Sequence, residues 1–421
     1  MNMRAQPQRT AAETAIIAAF DERVSALPGD EAIAVKRDAA VELLKEGLPT
    51  RHVEAWHYTD LRRLLATVPA FDDTAAARPL ASVLEGAVVL PVLNGKAGKA
   101  PKADGVTVQP LSERLADGSF APAMDGFGDD DVVGALNAAF VADGWFVDVA
   151  DGVTLERPIE FQGVQGGGQS HTALAVNAGA GASVTVVERQ FGADAALVSS
   201  ISHLNVGAGA NVRWIILQEQ PETATHLAQF RATLGKDARL SLFVLNAGGK
   251  LVRQEIRVDV TGEGADFQLR GVNLLAGDGH TDVTMVLDHK VPGTGSRELV
   301  RNIVTGKARG VFQGRINVHQ PAQQTDAKMA CNTLLLSDDA EFSAKPELEI
   351  FADDVQCGHG ATVTEINTDH LFYLMARGID EKSARGLLVK AFVAEVVEQL
   401  DDDDLVTALE ERIESWFTAH G

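Results

Sequence analysis

A sequence repeat runs through the middle of the chain and restricts its fold more than any other feature. The segments "LAVNAGAGASVTV", "LNVGAGANVRW" and "ATLGKDARLSL" align so that Val184, Val212 and Leu240 occupy one position. Each copy has an apolar run, a turn built on Gly or Asp, a small residue and a second apolar run. Alternating apolar runs bounded by such turn residues are typical of β-strands.

Further copies extend the repeat toward the C-terminus. "VDVTGEGADFQL" places Ala265 nearly one repeat after Ala238, and looser copies occur at "IVTGKARGVFQ" and "LLLSDDAEFSA". Strand units of fixed period stack, because one unit alone cannot bury its apolar face. The short period favours a β-solenoid over a β-propeller, whose blades need roughly 40 residues or more. The alternative is a β-sandwich whose turns happen to resemble one another.

The regions outside the repeat predict helical flanks around a mainly β core. Apolar spacings of three and four indicate helices on both sides of the repeat. In the first flank, Asp30 is predicted to cap the second helix, and Thr59 or Asp60 a short third one. Four regions are predicted: an N-terminal helical region (1–70), a mixed α/β connection (71–140), the solenoid core (141–364) and a C-terminal helical region (365–421).

The segment "DEKSARGLLVKAFVAEVVEQL" is the strongest predicted helix, and it is apolar over more than the usual arc. Either two neighbours within the chain cover this surface, or a partner protein does; intrachain packing is the more common case. The helix carries two adjoining apolar stripes, formed by Ala384, Leu387, Leu388, Ala391 and Phe392 and by Val389, Val393, Val396 and Leu400.

The composition excludes some partners and indicates a compartment. The formal net charge is −22, which argues against binding to nucleic acid or to an anionic membrane surface. Two cysteines cannot form a disulfide framework, and "MNMRAQPQRT" lacks the apolar core of a secretory signal. No apolar run is long enough to span a membrane. The sequence therefore predicts a cytoplasmic protein without nucleic-acid or membrane partners.

Common catalytic motifs are missing from the sequence. There is no Gly-x-x-x-x-Gly-Lys phosphate loop, no Gly-x-Ser-x-Gly, no His-Glu-x-x-His and no Cys-x-x-Cys. Asp353 and Asp354 are adjacent, so on a strand their side chains point to opposite faces and cannot act as a paired acid and base. The chain is therefore predicted not to hydrolyse nucleotides itself.

The segment "DDVQCGHGATV" contains the most suggestive pair, Cys357 and His359. Residues two apart on a strand share one side, here together with Val355, Ala361 and Val363. A buried cysteine beside a hydrogen-bonded histidine is one interpretation, and spacing alone favours it. The other interpretation is a metal half-site, because thiolate and imidazole bind zinc and iron–sulfur clusters. Such sites usually have four ligands, so the remaining ligands would have to come from elsewhere in the chain or from another subunit.

Three longer segments resemble the SufB/SufD family of iron–sulfur cluster assembly proteins. They are "GLPTRHVEAWHYTDL" at 47–61, "ALNAAFVADGWFVDVADGVTLERPIEF" at 135–161 and "GRINVHQPAQQTDAKMACNTLLLSDDAEFSAKPELEIFADDVQCGHGATV" at 314–363. The resemblance spans nearly the whole chain. The length and the presence of only two cysteines favour the SufD branch over the SufB branch.

The resemblance implies a fold and a set of partners. It implies a right-handed parallel β-helix core between helical regions, pairing with a SufB-like homologue, and binding of a SufC-like ATPase through the C-terminal helices. The chain would be a scaffold subunit and not an enzyme by itself. A nascent, transient iron–sulfur cluster would be shared with SufB, with no cofactor when the chain is isolated. In the absence of SufB, a homodimer is the expected alternative.

The resemblance also implies roles for particular residues. Cys357 and His359 match positions that face SufB and take part in cluster formation, which makes them a metal half-site completed by the partner. No role is implied for Cys331, which precedes Cys357 by about one coil. Two other hypotheses stay open, a carbohydrate-active β-helix enzyme and a self-contained metal-binding protein. The residues expected to contact the ATPase are Leu387, Leu388, Phe392 and Val396.

Overall fold

The structure is a computed structural model that describes residues 8–420 apart from 73, 102–103, 127, 129 and 193–194. Residues 1–7, which carry most of the segment predicted to lack a secretory signal, lie outside the described residues. No helix within these described ranges combines the length and the apolarity needed to cross a membrane. The helices are α1 (Ala11–Arg23), α2 (Glu31–Lys45), α3 (Leu61–Leu64), α4 (Leu111–Ala116), α5 (Val132–Phe140), α6 (Thr368–Ala376), α7 (Glu381–Val397) and α8 (Asp403–His420).

Nineteen strands, numbered in chain order, form two long sheets in the described part of the chain. In spatial order, sheet A contains β2 (Lys96–Ala97), β1 (Val88–Leu93), β5 (Ile159–Gln165), β7 (Ser183–Gly192), β9 (Asn211–Glu219), β11 (Arg239–Asn246), β13 (Asp266–Leu275), β15 (Gly295–Val304), β17 (Asp326–Leu335) and β19 (Gln356–Glu365). Sheet B contains β3 (Val106–Pro110), β4 (Asp143–Val149), β6 (Gly168–Ala178), β8 (Ala196–Val206), β10 (Thr225–Leu234), β12 (Leu251–Val260), β14 (His280–His289), β16 (Arg309–Val318) and β18 (Glu341–Ile350).

From β4 onward, consecutive strands alternate between the two sheets, so that two strands make one coil of a parallel β-helix. Val184 pairs with Val212, and Val212 pairs with Leu240, in parallel register. The repeat unit of the sequence is therefore one coil. The predicted solenoid is confirmed, and the β-sandwich alternative is wrong, because neighbouring strands from β4 to β19 are parallel where a sandwich would have antiparallel ones.

The two looser copies of the repeat lie at the opposite edge of the coil. The regular copies turn from sheet B into sheet A, as between β6 and β7. "IVTGKARGVFQ" and "LLLSDDAEFSA" instead turn from sheet A into sheet B, between β15 and β16 and between β17 and β18. Both edges require tight turns, so they use similar Gly and Asp chemistry and look alike in sequence.

Helical regions cover the outer faces of both sheets. Leu197, Leu227 and Leu251 on sheet B pack with α5 and the N-terminal helices in one apolar cluster. On the other side, α7 and α8 pack on sheet A, where Phe243 and Ile303 belong to a cluster that also contains Trp416. Where these helices pack, the strands of the middle coils are thus buried on both faces.

A buried ionic network joins the N-terminal segment 47–61 to sheet B. The Arg253 guanidinium donates to Asp282 at 2.5 Å and to Glu255 at 3.0 Å. Arg253 also stacks over Trp56, with 4.0 Å between the guanidinium carbon and the ring centre. The hydroxyl of Thr59 reaches Asp282 from the N-terminal side. Because a buried ion pair needs every partner in place, this network fixes the N-terminal region on the β-helix.

Two predicted helix caps are resolved by the structure. The Asp30 side chain accepts a hydrogen bond from the Ile33 backbone N–H and caps α2, as predicted. For α3, the cap is Asp60, whose side chain accepts from the backbone N–H of Arg63. Thr59 is not the cap, since its hydroxyl is buried in the ionic network.

Candidate functional site

Cys357 and His359 lie on β19, the last strand of sheet A. In the parallel register, Cys357 pairs with Ala327 and His359 with Met329. Ala327 and Met329 are fully buried in the apolar interior of the β-helix. Cys357 and His359 therefore continue two inward-facing rows of side chains, on the side that the alternation along the strand predicts.

The pair faces inward but is not enclosed. Cys357 is half-buried and packs with Val355 against the end of the apolar interior. His359 is exposed, and the Val363 side chain is 42% exposed. Because β19 is the edge strand of its sheet, the described chain adds no further coil above it. The interpretation of a packing pair inside the solenoid is therefore wrong for His359.

The environment of Cys357 favours the protonated thiol. Burial raises the pKa of this thiol, and the charges of Asp326 and Glu298 raise it further. A hydrogen bond with the Ala327 backbone lowers the pKa only in part. A thiolate is the form that binds metal, so a bound cation would have to displace the proton.

Cys331 is a different kind of thiol. It is fully buried one strand below β19, where the Asn302 amide lies 3.3 Å from its sulfur. Burial raises the pKa of Cys331 to about 12. Cys331 pairs with Ala361, so it is offset from Cys357 by four residues, about 13 Å along the strand. The two cysteines are one coil apart but do not share a site.

The candidate site offers two ligands. Among the residues that the structure describes, no three His, Cys, Asp or Glu side chains are placed to hold a metal ion together. A thiol and an imidazole on one side of a strand are about 6 to 7 Å apart along it, within reach of a shared metal centre. Such a pair can hold one side of a zinc ion or an iron–sulfur cluster, while the usual four-ligand shell needs more groups.

Most large exposed apolar side chains of the described residues lie in the C-terminal part of the chain, from the end of β18 into α7. Of eleven large hydrophobic residues exposed in the described chain, seven lie between 350 and 387. Phe351 is 63% exposed at the end of β18, and Phe372 and Tyr373 on α6 are 73% and 56% exposed. The sequence "HLFYLMARG" predicts this helix but not its exposed face, for which the two consecutive aromatic residues are the available signal. A cluster of this kind is typical of an interaction surface.

The four residues predicted to contact an ATPase fall into two groups on α7. Leu387 is 49% exposed, while Leu388 and Phe392 are half-buried. Arg301 lies over the Phe392 ring, 4.7 Å from its centre. Val396 is fully buried against sheet A, within the chain's own apolar cluster. The second apolar stripe of α7 thus packs inside the chain. In the first stripe, Ala384 is also buried, and Leu387 and Ala391 are exposed to solvent.

A shallow groove lies between α7 and α8, on the side of α7 that borders solvent. Its volume is about 390 Å³. Leu387 and Ala391 line it from α7, and Ile413 lines it from α8. Lys390 and Glu414 cross its rim with a 2.6 Å ion pair. The groove therefore has an apolar floor and a charged edge.

The fold and the site define a class of protein. It is a two-sheet parallel β-helix with helical flanks, and it presents a thiol and an imidazole at an open, apolar end. The family description "SUF system FeS cluster assembly, SufBD core domain" matches residues 161–392, from β5 into α7.

Curated relatives agree with that match. The chain is 30% identical to the iron–sulfur cluster assembly protein SufD of Escherichia coli, over 86% of this chain and 88% of that protein. It is 28% identical to the chloroplastic protein ABCI7 of Arabidopsis thaliana, over 88% of this chain and 83% of that protein. An iron–sulfur cluster assembly SufBD family protein of Synechocystis is 35% identical over 48% of this chain and 44% of that protein.

The chain belongs to the SufB/SufD family of iron–sulfur cluster assembly proteins, and it is of the SufD type. The resemblance of the three sequence segments is thereby confirmed, as is the expected parallel β-helix with helical flanks.

Proposed function

We propose that the chain is the scaffold subunit of a cytoplasmic SufB–SufC–SufD type complex and has no catalytic activity alone. Cys357 and His359 supply half of the site for a nascent cluster, and a SufB-like partner supplies the rest. One observation carries this proposal: the inward rows of the β-helix end in a thiol and an imidazole at an end that the described chain leaves open.

The open end has the properties of a subunit interface. Within the described residues, the edge strands β18 and β19 present backbone groups without a further strand, which favours pairing with another chain. Exposed Ile350, Phe351 and Val363 add apolar surface there. A partner that adds strands at this end would bury Cys357 and His359 between two subunits and bring its own ligands to them.

Two ligands with a protonated thiol suit a site that is loaded only in the complex. The raised pKa of Cys357 keeps the thiol neutral in the isolated chain. Iron and sulfide are the cargo, and metal binding would release the thiol proton. Partner ligands would raise the ligand number toward four, so that cluster binding and subunit pairing depend on each other.

The C-terminal helices are the proposed contact for a SufC-like ATPase. Leu387 lines the groove, while Leu388 and Phe392 are half-buried on α7 outside the groove lining. The three side chains form the proposed apolar contact. Val396 supports α7 from below by packing on sheet A. Since the sequence has no phosphate loop, ATP hydrolysis would come from this partner.

When no SufB-like partner is present, a homodimer through the same end is the second candidate. The exposed residues Ile350, Phe351 and Val363 at β18 and β19 favour it, because exposed apolar surface tends to be covered by a partner. A homodimer would bring together two copies of Cys357 and His359.

The test is reconstitution of the complex with ferrous iron and sulfide, followed by absorption spectra and iron analysis. Cys357→Ala and His359→Ala should each leave folding and complex formation intact but reduce cluster yield severalfold. Cys331→Ala is the matched control, because it removes the other cysteine of the same β-helix and should leave cluster yield unchanged. Equal cluster yields in all three variants would refute the half-site, and failure to co-purify with SufB-like and SufC-like proteins would refute the scaffold role.

A further inference from the structure

A second concave site lies on the outer face of sheet B, away from the open end. It is a cavity of about 660 Å³, here called the sheet B cavity. Its floor consists of outward side chains from five neighbouring strands of sheet B, namely β6, β8, β10, β12 and β14. Its wall is the segment 114–123, which contains the end of α4 and the turn after it. The volume lies within the range of small-molecule sites.

Two arginines are direct neighbours on the cavity floor. Arg231 on β10 pairs in register with Arg257 on β12, so their backbones are about 4.8 Å apart. Like charges directly opposite each other destabilise a sheet unless something offsets them. Burial lowers the pKa of Arg231, and the charge of Arg257 lowers it further, against the opposing effect of Asp131.

Arg231 also has a structural task. Its guanidinium donates to the Asp125 backbone carbonyl at 2.8 Å and lies 3.3 Å from the Asp131 carboxylate. These contacts fasten the segment after the cavity wall to the sheet. They offset part of the charge of Arg231, and the neighbouring Arg257 lines the same cavity.

The remaining charges in the cavity leave it cationic. Arg114 enters from the wall, with its guanidinium 3.6 Å from the Phe146 ring centre. The two carboxylates of the lining are already paired: Asp259 with Lys290 at 2.6 Å, and Asp288 with His319 at 2.8 Å. Lys290 is neutralised by Asp259, and the nearby Asp131 offsets Arg231 in part. The lining still has four positive side chains against two carboxylates, in contrast to the net charge of −22 for the whole chain.

Neutral groups complete a surface suited to an organic ligand. Asn177, Asn205 and Thr233 form a row of hydrogen-bonding side chains beside the arginine row. Phe120 and Phe146 supply apolar surface on the wall side. Guanidinium groups bind phosphate and carboxylate oxygens in pairs, and aromatic rings favour a flat or apolar body next to them.

We propose that the sheet B cavity binds a small organic anion that carries a phosphate or carboxylate group, held by Arg231, Arg257 and Arg114. This site is separate from the Cys357 end, and its existence does not depend on the proposed role in cluster assembly. Inorganic pyrophosphate and citrate are the probes, because they represent the two anion chemistries without adding an apolar group.

The experiment is calorimetric titration of the full chain with each probe at low ionic strength, where electrostatic binding is strongest. Saturable binding of either probe at one site per chain is expected, and the tighter probe identifies the anion class. Arg257→Gln and Arg114→Gln should each weaken binding about tenfold or more, since each removes a charged hydrogen bond. Arg231 is left intact because it holds the wall.

Arg239→Gln is the matched control, since it removes one exposed arginine from the same β-helix outside the cavity. It should leave binding unchanged. Absence of saturable binding to both probes would overturn the proposal, as would equal weakening by the Arg239 and Arg257 variants. If Arg257→Gln lowers the melting temperature, Arg114→Gln decides alone, because Arg114 lies on the wall and pairs with no strand of the floor.

Discussion

The two ends of the β-helix are built from the same coil but finish in opposite ways. At the first end, β3 pairs with β4 and β1 pairs with β5, and Leu90 and Trp145 are completely buried. At the last end, β19 has exposed side chains along most of its length. Stacking of the repeats buries only the surfaces at which one coil contacts the next. What covers the terminal coil is decided by the flanking segments, and in the described chain they cover one end only.

Buried carboxyl groups repeat this contrast inside the β-helix. Glu188, toward the first end, accepts hydrogen bonds from Ser202 at 2.7 Å and Trp214 at 3.2 Å. Glu298 lies two strands before β19, in the row that leads through Met329 to His359. Neither of its carboxylate oxygens has a hydrogen-bond partner of normal geometry in the described structure. The buried carboxyl near the closed end is thus well satisfied, and the one near the open end is not.

The largest predicted effect concerns the closed end. Trp145→Ala should lower the free energy of unfolding by about 3–5 kcal/mol, because it leaves a cavity in a fully buried position. It also removes the Trp145 indole hydrogen bond to the Pro91 carbonyl. Denaturant unfolding of the isolated chain measures the change. A loss of unfolding free energy below about 1 kcal/mol is much less than a buried tryptophan should cost. It would show that the first end is packed no better than the last.

Glu298→Gln is expected to stabilise the chain at high pH. Burial raises the pKa of Glu298 to about 8, although Ser296 and Arg297 lower it in part. The folded state thus keeps a proton that the unfolded state loses near pH 4.5, so wild-type stability falls as pH rises between these values.

Glutamine does not titrate, so the advantage of this variant should grow from near zero at pH 5 to on the order of 3 kcal/mol at pH 8. Urea unfolding at both pH values measures it. Glu263→Gln, in an exposed turn, is the control and should show no such trend. An advantage that is equal at pH 5 and pH 8 would rule out a trapped proton on Glu298.

Glu188→Gln should have the opposite sign. A glutamine amide keeps one acceptor oxygen and turns an NH2 group toward donors that need an acceptor, such as Gln190 at 3.1 Å. A loss of about 1–3 kcal/mol is expected, the usual effect of leaving buried groups unpaired. Unfolding at pH 7 measures it beside Glu298→Gln. If Glu188→Gln and Glu298→Gln change the free energy of unfolding in the same direction, the contrast between the two regions is refuted.

The smallest effect on stability is expected at the open end. Phe351→Ala removes a side chain that is 63% exposed, so the free energy of unfolding should change by less than about 0.5 kcal/mol. The variant should nevertheless associate more weakly with a SufB-like partner, as measured by sedimentation or titration. Substantial destabilisation of the isolated chain would mean that Phe351 packs within the chain and does not serve an interface.

The sequence allowed prediction of the coil but not of its ends. The spacing from Val184 to Val212 gave the register, and alternation along β19 gave the direction of Cys357. Alternation could not show that His359 is exposed, because exposure depends on whether another coil follows. Similarly, both stripes of α7 are apolar, and only packing on sheet A separates buried Val396 from exposed Leu387.

Long-range partners were also outside the reach of the sequence. The buried network brings Thr59 onto Asp282 and Arg253 from a distant part of the chain, and no local pattern connects them. Arg231 and Arg257 are separated by close to one repeat, and their adjacency could have been read from the register. Their relation to the wall segment with Arg114 required the folded chain.

Reactivity of the two cysteines toward iodoacetamide tests the open end most directly, because the chain contains only Cys331 and Cys357. Peptide mass spectrometry of the dilute, native chain should show modification of Cys357 and none of fully buried Cys331. After a SufB-like partner is added, Cys357 should become protected. Modification of Cys331 at a similar rate, or a Cys357 that stays equally reactive in the complex, would contradict an open end that the partner completes.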